Sequence, residues 1–150
     1  MCGVALKIAG RAAFLRQTEL MTGQPKQPLT VVLLDLDGLK YINDTFGHLE
    51  GDYAISAAAG CLHRVCSDGI CTRYGGDEFV ALLKGEADCE NLRRALAEQL
   101  DACNSGSGKP YTISASIGIY TGTGESIDVM ISKADEIMYE EKSHKPNRRR

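Results

Sequence analysis

Residues 31–37 read VVLLDLD, an unbroken apolar run that ends in two acids two positions apart. A Val- and Leu-rich stretch of this length predicts a strand over 30–36 that is buried on both faces at the centre of a sheet. Such a strand exists only where other elements cover both sides of it, and it fixes where the acids stand. Side chains alternate along a strand, so Asp35 and Asp37 share one face at its C-terminal end and Leu36 takes the other. Carboxylates at such an edge are costly unless solvated, paired or bound to a cation. The residues alone leave a metal site and a simple strand-end cap equally open.

A second acidic segment follows at residues 73–79, RYGGDEF. The flanks 70–74 and 79–83 are β-rich, so the segment reads as a hairpin with Gly75 and Gly76 at its tip. The two glycines are free to take positive φ and put no side chain over the turn. Asp77 and Glu78 then stand beside bare backbone that a phosphate can approach. An acidic turn by itself is most often simply solvated. If strand and hairpin are neighbours, Asp35, Asp77 and Glu78 supply the oxygens that a hard cation such as Mg²⁺ takes together with substrate phosphates.

The rest of the chain supplies the covering elements. A helix is expected over 12–22, then a Pro-containing loop over 23–28. Helices over 39–46 and 52–65 are separated by a turn at 47–51. An amphipathic helix over 86–103 carries Leu92, Leu96 and Leu100 at helical spacing. A loop over 104–110 leads to a strand over 111–121. The final helix, 126–142, has Ile127, Met130, Ile131, Ala134, Ile137 and Met138 on one side. Strands separated by helices, with one hairpin, predict an α+β sheet with helices packed on it. At 150 residues, with no internal repeat, residues 1–150 form a single domain.

Several function classes are disfavoured. The formal net charge of −3 argues against a nucleic-acid surface. No apolar run approaches the roughly 20 residues of a membrane span, so no membrane contact by this domain is expected. The residues at 148–150, all arginine, read as a short solvated tail. Six cysteines, at 2, 61, 66, 71, 89 and 103, form no CxxC pair. They read as reduced, mostly structural thiols in a cytoplasmic protein.

Residues 35–52, DLDGLKYINDTFGHLEGD, are similar to the block DxDxFKxxNDxxGHxxGD, with Asp35, Asp37, Lys40, Asn43, Asp44, Gly47, His48, Gly51 and Asp52 in matching places. Together with RYGGDEF, they give the chain a clear resemblance to the GGDEF domain, the diguanylate cyclase family. The resemblance implies a nucleotide-cyclase, ferredoxin-like fold with a central, mostly antiparallel sheet and the GGDEF residues on a β-hairpin. It implies GTP as substrate and cyclic di-GMP as product, made where two copies of the domain face each other, each holding one GTP. By position, Asp35, Asp77 and the Leu36 carbonyl match the family's ligands for Mg²⁺ (or Mn²⁺). Glu78 stands beside them, with ligation or hydroxyl activation both open. The N–H groups of Gly38 and Leu39, with Lys40, suit phosphates at the start of a helix. Gly75 and Gly76 let the nucleotide lie close. Asn43 and Asp52 match the guanine readers; on their own they also read as a helix-end polar residue and a helix N-cap. Lys142, in the segment SKADEIMYEEKSHKPNR, matches a phosphate-binding lysine.

Departures are also visible. In residues 3–14 only Arg11 and Phe14 persist from the family's opening segment. A phosphate-contacting arginine falls on Pro146, leaving Lys145 or Arg148 to compensate. The RxxD product-binding site falls on Cys66 and Gly69, with Arg64 and Asp68 nearby but wrongly spaced. These departures support an alternative in which the domain is a catalytically weak GTP-binding regulatory module. In this family such a domain is usually one part of a longer signalling protein.

Overall fold

The structure is a computed structural model that describes residues 10–22 and 27–144. Its elements are α1 (Arg11–Met21), β1 (Pro28–Asp37), α2 (Leu39–Phe46), α3 (His48–Val65), β2 (Ile70–Arg73), β3 (Glu78–Lys84), α4 (Cys89–Ser107), β4 (Ser114–Thr123) and α5 (Ile127–Ser143). The strands form one sheet in the order β2-β3-β1-β4, and every pairing is antiparallel. The α+β architecture and the central position of β1 are as the apolar run requires.

Alternation along β1 divides the core in two. Val32, Leu34 and Leu36 face a cluster built with Ile42 of α2, Ala54, Ala58 and Leu62 of α3, and Leu96 and Leu100 of α4. Leu29, Val31 and Leu33 face Phe14 of α1 and Ile127, Met130, Ala134 and Met138 of α5. Each fully buried aliphatic or aromatic side chain contributes about 1.5–3 kcal/mol, so both helix layers are held by the same strand. Within the expected α5 stripe Ile137 is an exception, 37% exposed.

Local chemistry moves several boundaries away from the sequence reading. The expected turn over 47–51 shrinks to Gly47, whose φ of 98° breaks the helix, and α3 begins at His48. Gly51 lies buried inside α3 because Asn43 packs against it: a Cβ there would lie 2.8 Å from Asn43 Cγ and closer still to Oδ1. Helix α4 starts at Cys89 rather than 86, because the Asp88 carboxylate accepts from the Asn91 N–H at 3.2 Å as an N-cap. It runs on to Ser107 through the expected loop and stops at Gly108, φ 68°. Strand β4 begins at Ser114, not 111. The Asn104 side chain bonds the Ile113 N–H and C=O, at 2.8 and 2.9 Å, in place of a neighbouring strand.

Helix α5 crosses β4 at Gly118. A Cβ there would lie 2.9 Å from the Met138 nitrogen and 3.0 Å from the Ala134 carbonyl carbon, closer than side chains tolerate. The missing side chain lets the α5 backbone rest on the strand. β4 is a sheet edge, and at its middle the outer groups of Ile117 are occupied. Its N–H donates to Glu141 Oε1 at 2.5 Å and its carbonyl accepts from Arg93 Nη1 at 3.1 Å. Arg93 and Glu141 pair with each other at 3.3 Å. Among the described residues no helix is long and apolar enough to cross a membrane.

Candidate active site

The two acidic segments meet. The β1–β3 register sets Asp35 opposite Glu78, and the Leu36 N–H donates to the Asp77 carbonyl at 2.9 Å. The hairpin turn is closed by backbone and by an arginine. The Tyr74 and Gly75 N–H groups both donate to the Glu78 carbonyl, at 2.7 and 3.1 Å. The Arg73 guanidinium donates to the Gly75 and Gly76 carbonyls at 2.8–3.2 Å. Neither Gly75 nor Gly76 uses its freedom to take positive φ. Their contribution is space: a Cβ at Gly76 would meet nothing within 4 Å, and one at Gly75 would make only ordinary contact with Glu78, at 3.7 Å.

The two acids at the end of β1 have different partners. Asp37 accepts from the Ser114 and Ser116 hydroxyls at 2.8 and 2.9 Å, which is the strand-end cap. Asp35 is 8% exposed, and its Oδ2 accepts from Lys142 Nζ at 2.5 Å. Its Oδ1 is buried with no hydrogen-bond partner, an arrangement that costs about 1–3 kcal/mol if nothing fills it. Burial, followed by the charge of Asp77, holds the Asp35 carboxyl above its ordinary range, against the pull of Lys142. Glu78 is raised too, by burial first and then by Asp35, Asp135 and Asp77. The site therefore concentrates negative charge that one ammonium only partly offsets.

Among the described residues, no three His, Cys, Asp or Glu side chains form a ready cation cage. The donor set nevertheless fits a hard cation. Every donor is an oxygen, and the orphaned Asp35 Oδ1 lies at the sheet end among acids whose mutual repulsion a divalent ion relieves.

Beyond Asp35, the chain enters α2 through Gly38, left-handed at φ 70°, and no side chain caps that helix. The Gly38 and Leu39 N–H groups thus stand at the start of α2, directly after the end of β1. Lys40 is on the outer face of α2, paired with Asp44 at 2.8 Å. Asn43 is half-buried in the α2–α3 elbow, and Asp52 is exposed on α3. Because α3 starts at His48, Asp52 is inside the helix and is not its N-cap.

Three features were not legible as site components. Arg73 organises the turn; the signal was two exposed glycine carbonyls beside a basic residue. Asp135 adds its charge to Glu78, and its spacing of seven from Lys142 puts both on one helix face. Glu50 holds the elbow by accepting from the Tyr111 hydroxyl at 2.6 Å and pairing with Lys109 at 3.0 Å. The ring of Tyr111 packs on Phe46 at 5.2 Å.

The departures have structural counterparts. Phe14 is fully buried, and the Arg11 guanidinium sits 4.0 Å over the Tyr74 ring, so these two tie α1 to the core and to the hairpin. Cys66 is 1% exposed, and a Cβ at Gly69 would press on the β3 backbone at Leu82. Arg64 reaches Gln99 Oε1 of α4 at 2.6 Å. Lys145, Pro146 and Arg148, and residues 3–9 of the opening segment, lie outside the described residues.

Comparison with known proteins agrees with the fold. The family described as "Diguanylate cyclase, GGDEF domain" matches residues 7–148. Diguanylate cyclase VdcA of Vibrio cholerae is 35% identical over 131 residues, covering 81% of this chain and 38% of that protein. Diguanylate cyclase A of Treponema denticola is 31% identical over 137 residues, covering 85% and 36%. The chain thus spans little more than a third of these relatives. Among solved structures, the GGDEF domain of DgcB from Caulobacter crescentus, in complex with c-di-GMP, superposes with a TM-score of 0.77 at 29% identity, over 94% of this chain and 89% of that one.

Proposed function

The chain belongs to the GGDEF domain family of diguanylate cyclases, and from that premise we propose that it condenses two molecules of GTP into cyclic di-GMP with release of two pyrophosphates. The observation that carries the reading is the convergence of Asp35, Asp77 and Glu78 at one end of the sheet, beside an uncovered glycine turn and under Lys142.

A divalent cation, Mg²⁺ or Mn²⁺, would be held by Asp35, Asp77 and the Leu36 carbonyl, with Glu78 beside it, and supplies charge neutralisation for the triphosphate. The chain's own residues position the nucleotide. The Gly38 and Leu39 N–H groups, at the positive end of α2, receive the terminal phosphate oxygens, and Lys40 adds positive charge on the same helix. Gly75 and Gly76 let the nucleotide lie against the hairpin. Asn43 and Asp52 address the guanine edge, the carboxylate accepting from the ring N–H and exocyclic amine. Lys142 exchanges Asp35 for a phosphate oxygen when nucleotide enters.

Two copies bring their nucleotides face to face. Each 3′-hydroxyl oxygen bonds to the other nucleotide's α-phosphorus, the bond to the bridging oxygen breaks, and pyrophosphate leaves. The raised pKa of Glu78 suits it to accept the hydroxyl proton. Positioning and charge neutralisation carry catalysis, with no covalent enzyme intermediate.

One observation favours a second reading. The Lys142–Asp35 ion pair engages a carboxylate that the metal would need, as suits a module that binds GTP and turns it over poorly. Incubating the domain with GTP and Mg²⁺ separates the two. The cyclase reading expects cyclic di-GMP, two pyrophosphates per product, and a rate that rises faster than the first power of protein concentration. GTP binding without pyrophosphate release establishes the second reading instead.

A further inference from the structure

Away from the acidic site, α3 and α4 bring two thiols into contact. Cys61 Sγ and Cys103 Sγ are 3.6 Å apart, joined across 42 positions of sequence. Cys61 is fully buried, whereas Cys103 is partly exposed at the α4 surface. Arg64 places one guanidinium nitrogen 3.7 Å from the first sulfur and 3.8 Å from the second. Its Nε is anchored on Gln99 of α4 at 2.6 Å.

We propose that Cys61 and Cys103 are a reversible oxidation site, which a two-electron thiol oxidant such as hydrogen peroxide converts into a disulfide tying α3 to α4. The inference does not depend on the cyclase reading. A disulfide needs a sulfur separation of about 2.05 Å, so the two sulfurs must close by roughly 1.5 Å.

The asymmetry of the pair sets the order of steps. Cys103 is the sulfur that oxidant can reach, since it is partly exposed where Cys61 is buried. It attacks one peroxide oxygen, the O–O bond breaks, and water leaves with the thiol proton, giving a sulfenic acid. Cys61 then attacks the Cys103 sulfur, the S–O bond breaks, and a second water carries away the Cys61 proton. Two thiols lose two electrons and two protons to one peroxide. Burial pushes the Cys61 thiol up to about 12, which suits it to wait as the resolving partner. Cys66 and Cys71 provide internal controls. Both are buried, and burial is the leading cause that raises them to about 12 and about 11.

Mass spectrometry of the peroxide-treated domain, in a Cys2→Ser background, tests the proposal. A non-reduced digest should contain one peptide pair joining Cys61 to Cys103, lighter by about 2 Da than the two free thiols and separated by dithiothreitol. The oxidised monomer should melt roughly 5 °C or more above the reduced one. Cys103→Ser, a partly exposed position, should fold and lose both effects, and Cys61→Ala should do the same. The proposal is overturned if both thiols stay free, if Cys103 proceeds to sulfinic acid while Cys61 stays reduced, or if Cys61 pairs with any other cysteine.

Discussion

Gly118→Ala should destabilise the domain although it adds a single methyl group. In the structure that methyl would lie 2.9 Å from the Met138 nitrogen and 3.0 Å from the Ala134 carbonyl carbon, with the Ala134 oxygen nearer still. These are backbone atoms of α5, so no rotamer change relieves the overlap, and the helix must move off β4 by roughly 1 Å. The residues that move with it, Met130, Ala134 and Met138, are at most 4% exposed. Overpacking of this kind costs about 1–3 kcal/mol. Loss of glycine's freedom in the unfolded chain returns about 0.4–1 kcal/mol, leaving a net loss centred on about 1.3 kcal/mol. Urea unfolding should show a lower midpoint at unchanged slope. Ala134→Gly in the same background should give no relief, because the obstructing atoms belong to the backbone. Nucleotide turnover should fall as well, since α5 carries Lys142 over Asp35. A midpoint for Gly118→Ala equal to or above that of the wild type would refute the close-approach account.

The other expectations concern the site. Asp35→Ala and Asp77→Ala should each abolish cyclic di-GMP formation while leaving the circular dichroism spectrum intact; near-normal activity in both would remove the metal assignment. Asp52→Ala should weaken GTP binding by roughly tenfold or more, the worth of a hydrogen bond to a charged group, and equal affinity by calorimetry would contradict the guanine-reading role. Glu78 has a folded pKa above its ordinary 4.5, so its stabilising contribution is present in acid and fades as pH rises through that folded value. The metal-free wild type should therefore lose melting temperature relative to Glu78→Gln as pH rises from the ordinary 4.5 through the higher folded value, and a constant gap would show that the carboxyl is not perturbed. With Cys66 in the core and Gly69 pressed on β3, cyclic di-GMP should inhibit only in competition with GTP; tight binding that GTP does not displace would place a product site elsewhere.

The sheet and its coverings could be read from residue patterns because they obey short-range rules. The VVLLDLD run could only be central, the GGDEF flanks could only be a hairpin, and the α5 stripe repeats at helical spacing. What could not be read rests on contacts between distant residues. Two glycines in GHLEGD look like a turn, yet Gly51 is helical, because Asn43 needs the volume a side chain would fill. The delayed start of β4 depends on Asn104, and the Asp35–Lys142 pair spans 107 positions. Asp35 and Asp37 look alike in sequence, yet both the Ser114 and Ser116 hydroxyls donate to Asp37 while Lys142 pairs with Asp35.

The plug that Arg93 and Glu141 form at Ile117 bears on how copies of this domain can meet. An open edge strand invites another chain to add its own strand, and such pairing, once begun, propagates. Here the middle of the long edge has both backbone groups occupied by charged side chains, and the opposite edge, β2, is only four residues long. Main-chain zippering is thus discouraged at both margins. Under the cyclase reading proposed above, two copies would then meet through side chains and bound nucleotide rather than through a shared sheet, and the crowding of domains would set the pace of synthesis.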